Sequence, residues 1–273
     1  MIAESIYYSL DEVLKSNKKE VFLSIKGVLF PFYVDYKYKS KWLLILPGAI
    51  DRSRKNIPVF QRSSYSAELD CNLISLFDPT LFFDKDISIG WFIGDSEYHY
   101  VNILGEFLKI NFEKMNIKMD DIYLYGSSAG GLPCLFLSLI LNGCNTLLYN
   151  IQTNVLMYHK RFLSGLCEKV FDDVNFNLFV EKYSNRFHSC KLGNGQYYYI
   201  QNKSDKYHYD NFFLKFIKQM KGKKNILYYT FSDPKIKHSP LNKILELKLL
   251  QSFINTDLLS FFKDYYFENV LGE

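Results

Sequence analysis

The chain contains no apolar run long enough to cross a membrane. Its longest, Leu132 to Leu141, is broken only by Pro133 and Ser138 and reaches about half of the roughly 20 residues a span needs. That stretch reads as a buried helix. The opening residues, Met1-Ile2-Ala3-Glu4-Ser5, carry an early acid and no apolar segment followed by small residues, which argues against a secretory signal. Cysteine is scarce and scattered: Cys71, Cys134, Cys144, Cys167 and Cys190 form an odd set with no C-x-x-C pair. Such spacing supports neither a disulfide framework nor a zinc site, and it fits reduced thiols and a cytoplasmic location. An excess of charge of one sign is missing too. The formal net charge of +4 is spread over 33 basic and 29 acidic residues, without the concentrated basic stripe that marks a nucleic-acid partner. There is no P-loop, no H-E-x-x-H pair and no G-x-G-x-x-G turn after a strand, so nucleotide hydrolysis, zinc proteolysis and dinucleotide redox have no motif behind them. No metal site is expected. Asp84-Lys85-Asp86 matches the D-x-D pattern of sugar-nucleotide transfer over three residues and reads as a polar loop.

Internal repeats and Pro/Gly/Ser-rich linkers are also absent, so residues 1–273 are expected to form a single domain. What is abundant is apolar and aromatic surface, with 24 Phe and 22 Tyr, enough for a large core. Beyond the first part of the chain, strand-length runs alternate with longer amphipathic segments, the pattern of an α/β fold with a mostly parallel central sheet covered by helices. Strands are predicted at Trp42-Leu46, Asn72-Leu76, Ile122-Tyr125, Thr146-Ile151, Tyr197-Ile200 and Asn225-Phe231. Helices are expected over Tyr98 to Lys114, Ser128 to Leu141, His208 to Met220 and Leu241 to Ile254. Ahead of these, Val21 to Ile25 and Val28 to Val34 flank Lys26-Gly27 and predict an N-terminal β-hairpin at one sheet edge. Residues 152–195 make too long an interval for a simple crossover and are expected to form an inserted helical cap whose rim faces the site.

The decisive feature is Ile122-Tyr123-Leu124-Tyr125 running into Gly126-Ser127-Ser128-Ala129-Gly130 and then into the apolar run from Leu132. A strand must turn sharply into a helix here, and small residues two before and two after Ser128 let the backbones approach. Ser128 is thereby lifted above the carboxyl edge of the sheet as a nucleophile, while the helix N-terminus offers free N–H groups to an anion forming there. Ser127 falls on the wrong side of the turn and is assigned a structural role.

A serine hydroxyl needs a base, and the base needs a carboxylate to fix its tautomer. His238 is the histidine in the loop after the last predicted strand, where the base belongs in the chain order of serine, acid, histidine. Asp205, just past the penultimate strand, is the preferred acid, with Asp210 and Asp233 as alternatives. The two oxyanion donors are expected to be the N–H groups of Ala129 and, in the turn Pro47-Gly48-Ala49-Ile50, of Ala49. His208 is read as a neighbour of the triad or a substrate contact. Arg52, Arg54, Lys55 and Arg62 cluster beyond the same turn, and Arg52, Arg54 and Arg62 are candidates to bind the phosphates of a nucleotide-containing donor or the carboxylates of an acidic glycan.

These residues resemble the α/β-hydrolase superfamily across roughly residues 40 to 255. A narrower set, Pro47-Gly48-Ala49-Ile50-Asp51-Arg52 with Pro58-Val59-Phe60, Ser75-Leu76-Phe77-Asp78-Pro79-Thr80-Leu81, Gln152-Thr153-Asn154 and Gln201-Asn202-Lys203-Ser204-Asp205, resembles bacterial proteins of capsule and surface-polysaccharide gene clusters. The resemblance implies a serine esterase or O-acetyltransferase with a Ser-His-Asp triad, no permanently bound cofactor, acetyl-CoA as an acyl donor, and a glycan or small acyl ester as substrate. It leaves association of copies open. A reading of a different class is a non-catalytic scaffold or glycan-binding protein in which the serine turn survives only as architecture.

Overall fold

The computed structural model describes residues 6–172 and 175–270. Residues 1–5, read above against a signal, lie outside that description, as do residues 173–174 of the expected cap and the last three residues of the expected domain. The strands are β1 (Ile6–Tyr7), β2 (Glu20–Ile25), β3 (Val28–Asp35), β4 (Trp42–Leu46), β5 (Asn72–Leu76), β6 (Ile122–Ser127), β7 (Asn145–Tyr149), β8 (Tyr197–Asn202), β9 (Ile226–Phe231) and β10 (Glu268–Asn269). They form one sheet in the order β1-β2-β3-β5-β4-β6-β7-β8-β9-β10. From β5 through β9 all neighbours are parallel. Every residue of β4 and of β6 is buried, as it must be for strands covered on both faces. The predicted hairpin is β2 and β3, closed by Lys26 and Gly27 with φ of 51° and 83°, the positive angles that match the twist of a two-residue connection. It lies one strand in from the edge, because the two-residue β1 pairs outside β2.

Helices α1 (Leu10–Ser16), α2 (Tyr100–Lys114) and α3 (Gly131–Ile140) pack on one face of the sheet. In α2 the buried Val101, Leu104, Leu108 and Phe112 recur at helical spacing while Asn102, Glu106 and Lys109 face water. Next come α4 (Lys160–Lys169), α5 (Phe176–Lys182), α6 (Lys206–His208), α7 (Leu214–Gln219), α8 (Lys243–Ile254) and α9 (Leu258–Asp264). The last two cover the opposite face, closing over Leu43, Ile45, Tyr123 and Tyr125. Where one helix was expected from His208 to Met220, α6 and α7 are joined by a wider π-type turn over Tyr209–Phe213. Such turns are rare and recur near functional sites.

Within residues 152–195, Leu163 and Leu166 of α4, Phe179 of α5 and Phe187 beyond it join a third apolar cluster with Ile50, Phe77, Trp91, Ala129 and Leu132. Two cations fasten this segment. Lys169 Nζ lies 2.9 Å from Asp84 and 2.8 Å from Asp86, so the D-x-D pattern holds a lysine. Buried Arg186 donates from Nη1 to the carbonyls of Ile93, Asp95 and Tyr98 at 2.6–3.0 Å. Cys71, Cys134, Cys144 and Cys167 are buried and Cys190 is exposed; burial pushes the thiols of Cys71 and Cys144 up to about 11 and about 12. Among the described residues no helix is long and apolar enough to cross a membrane.

Candidate active site

Ser128 stands where β6 ends, at the first residue of a single 3-10 turn that leads into α3. Its φ of 52° lies in the left-handed region that a side chain disfavours, and such strain persists only where the surroundings enforce it. The neighbouring glycines show how. A Cβ on Gly126 would stand 2.5 Å from the Gly130 carbonyl oxygen, and one on Gly130 would stand 2.4 Å from that of Leu46. The turn is thus wedged against both its own strand and β4. Ser127, assigned a structural role, accepts a hydrogen bond from Arg62 Nη2 at 3.2 Å.

Three loops at the carboxyl edge of the parallel strands converge here. His238, in the loop after β9, has Nε2 2.8 Å from Ser128 Oγ and Nδ1 2.6 Å from Asp205 Oδ2. Asp205 follows β8 and caps α6. The network assigns the tautomer: Nδ1–H donates to the carboxylate, and Nε2 accepts from the serine hydroxyl. Burial by itself would raise the Asp205 pKa. Hydrogen bonds from His208 and His238 outweigh it and hold the carboxyl well below the usual carboxylate range. The alternative acids stand elsewhere: Asp233 accepts the Lys235 N–H at 2.8 Å, and Asp210 is exposed in the π-type turn.

The turn after β4 is braced by Gln61, which sequence reasoning missed because no motif marks it. Its Oε1 accepts the Gly48 N–H at 3.0 Å, and its Nε2 donates to the carbonyls of Gly48 and Ala49. Among the described residues no backbone carbonyl takes the N–H of Ala49. Gly48 brings this turn against the serine, since a Cβ there would meet Ser128 Cβ at 3.8 Å.

A cavity of about 510 Å³ opens beside Ser128 and His238, lined also by Ala49, Lys55, Gln61, Arg62, Tyr65, Tyr149, Leu241 and Glu246. Its basic wall differs from the expected one. Arg62 and Lys55 reach it, whereas Arg52 and Arg54 are absent from its lining. Arg52 gives its Nη1 to the carbonyls of Leu81, Asp84 and Ile87, and Arg54 pairs with Asp51 at the surface. The arginines expected to bind an anion therefore divide: Arg52 and Arg54 brace and decorate a loop, and only Arg62 faces the cavity. Arg62 is itself matched. It pairs with Glu246 at 2.8 Å, and Glu246 also accepts from Tyr65 and Tyr125 at 2.7 and 2.6 Å. Burial alone would lower the Arg62 pKa, but Tyr125 and Glu246 reverse this and keep the guanidinium charged.

His208 is buried beneath His238. Its Nδ1 lies 3.1 Å from Asp205 Oδ1, and its ring stacks on that of His238 with centroids 3.8 Å apart. Asp205, His208 and His238 are near enough to one another to be considered as metal ligands. The two rings stack face to face, however, so their in-plane lone pairs run side by side, and the short nitrogen–oxygen distances are those of hydrogen bonds.

No protein-family model matches the chain, and no curated protein matches it. Solved structures do. A glycosylation associate protein complex from Streptococcus agalactiae matches with TM-score 0.58 and 15% identity, over 88% of this chain and 45% of that one, so the chain spans less than half of that protein's length. A variant of the capsule O-acetyltransferase of Neisseria meningitidis serogroup A in complex with CoA matches with TM-score 0.57 and 18% identity, over 85% of this chain and 96% of that one. An S-formylglutathione hydrolase from Agrobacterium tumefaciens matches with TM-score 0.53 and 13% identity, over 88% and 91%. With its parallel sheet, its serine at the strand-to-helix turn after β6 and these neighbours, the chain has the α/β-hydrolase fold.

Proposed function

We propose that this protein is a serine-dependent acyl-transfer enzyme, an O-acetyltransferase or O-acyl esterase acting on a bacterial surface or capsular polysaccharide. The observation that carries the reading is the continuous hydrogen-bonded line from Ser128 Oγ through His238 to Asp205. In this reading His238 Nε2 takes the serine proton as Oγ attacks the acyl carbonyl, and the ionised Asp205 stabilises the imidazolium. The N–H groups of Ala129 and Ala49 receive the oxyanion. Collapse of the tetrahedral species breaks the bond to the leaving thiol or alcohol, which departs with the proton from His238 and leaves the acyl group on Ser128. A glycan hydroxyl, or water, then gives its proton to His238 and attacks the ester carbonyl, restoring the serine.

The cavity volume lies within the range of small-molecule sites, and Lys55 and Arg62 on its wall suit the phosphates of an acetyl-CoA donor or the carboxylates of an acidic glycan. The likeness to a capsule O-acetyltransferase supports the glycan acceptor, and the CoA bound in that structure supports the donor. Residues 152–195 act as the cap whose fit to the acceptor governs exclusion of water.

The test is intact-protein mass spectrometry after mixing with acetyl-CoA or a simple acetyl ester. The expected result is an acyl adduct on Ser128 that is absent from Ser128→Ala, and discharge faster by polysaccharide than by water identifies a transferase. No adduct from either donor would leave the non-catalytic, glycan-binding reading in possession.

A further inference from the structure

Asp205 serves two histidines. Besides His238, it accepts from His208, whose Nδ1 stands 3.1 Å from Oδ1 and 3.0 Å from Oδ2 and whose backbone N–H reaches Oδ1 at 3.4 Å. The His208 side chain is only 5% exposed, and among the described residues its Nε2 has no partner. An imidazole donating from Nδ1 with a bare, buried Nε2 is neutral, since protonation would add an N–H with no acceptor. The two rings lie at 18° to one another. A neutral face under a ring that becomes cationic during turnover is attractive, whereas two neutral rings gain little from facing each other squarely.

We propose that His208 is a positioning residue for acyl transfer: it holds the Asp205 carboxylate by a second hydrogen bond, lies under the His238 ring, and so sets how strongly His238 binds its proton. The inference rests on the acyl-transfer reading above and goes beyond it by assigning a tuning role to a residue that never touches the serine. A donor to a carboxylate stabilises its charge and weakens its pull on other protons. Without His208 Nδ1–H, Asp205 faces His238 less satisfied and the imidazolium is held more tightly, so the base form that Ser128 needs requires a higher pH. Other titratable groups around this set are His159 and Tyr158 from the segment before α4, Tyr207 of α6, Tyr149 of β7 and Tyr199 of β8. Burial raises the pKa of Tyr149, Tyr158, Tyr199 and Tyr207 and keeps them protonated near neutral pH.

The test compares wild type, His208→Phe, which keeps a ring under His238 and loses the donor, and His208→Asn, which keeps a donor near the position of Nδ1 and loses the ring. His238 is titrated by NMR without substrate, and the pH dependence of Ser128 labelling by a fluorophosphonate is followed in parallel. His208→Phe is expected to raise the apparent pKa of His238 by about one pH unit, with the acid limb of labelling moving equally. His208→Asn should return both close to wild type. An unchanged His238 titration in His208→Phe, with Ser128 still labelled, would overturn the positioning role alone. Failure of wild type to label would instead remove the acyl-transfer reading, and the titration still decides whether His208 governs His238.

Discussion

Arg62 and Glu246, 184 residues apart in sequence, meet at the cavity wall, with Nε and Nη2 at 2.9 and 2.8 Å from one carboxylate oxygen. The guanidinium also reaches the Ser127 hydroxyl, so a buried ion pair is tied to the side chain next to Ser128. Removing one partner of such a pair strands a charge, whereas removing both does not. Glu246→Ala is expected to lower stability by about 3–5 kcal/mol in urea unfolding. Arg62→Met combined with Glu246→Leu should recover most of that loss, and a Glu246→Ala variant as stable as wild type would contradict the account.

Variants of the hydrogen-bonded line should share a kinetic fate. Ser128→Ala and His238→Ala are expected to reduce kcat for p-nitrophenyl acetate by at least about ten-thousand-fold, and Asp205→Asn by a similar factor because it favours the wrong imidazole tautomer. Asp233→Ala should remain within about threefold of wild type, since the Asp233 carboxylate caps the turn at Lys235. Comparable losses at Asp233 and Asp205 would reassign the acid.

Lys55 lines the cavity and Arg54 does not. With acetyl-CoA as donor, Lys55→Ala should raise KM several-fold with little change in kcat, the signature of a lost ground-state contact. Arg54→Ala should change neither. Steady-state kinetics at two salt concentrations would check this, because an exposed charge contact weakens with ionic strength.

Much of this was legible in the chain. Trp42–Leu46 and Asn72–Leu76 form strands with the predicted limits, because apolar β-branched and aromatic runs in a doubly covered sheet have few other options. The serine turn could be read since its glycines are demanded by backbone contacts within a few residues. The two-residue strands β1 and β10 carry no periodicity to detect. Arg62 looked like one cation among four in a loop, and its partner Glu246 comes from a distant helix, so nothing local distinguished it from Arg54. Gln61 escaped for the same reason: its hydrogen bonds to Gly48 and Ala49 exist only once the loop has folded back over the turn.

His99 gives stability a dependence on pH that is separate from catalysis. Burial, aided by the positive charge of Arg186, lowers its pKa to about 3, against about 6.5 in an unfolded chain. The folded state therefore binds fewer protons between these values, so stability is lost as pH falls below about 6.5. Between pH 7 and pH 5 the wild type should lose about 2 kcal/mol more than His99→Phe, which keeps an aromatic ring against Phe136 without a proton to gain. Denaturant melts at the two pH values measure the difference, and parallel losses would refute it.

The distribution of thiols makes the molecule a ready-made sensor. With four sulfurs sealed in the interior and Cys190 alone at the surface, a maleimide dye attaches at one point without any engineered change. That point follows Ser189, whose N–H is tied to the Thr153 carbonyl, at the root of the helical excursion. A fluorophore there would report on the surroundings of residues 152–195.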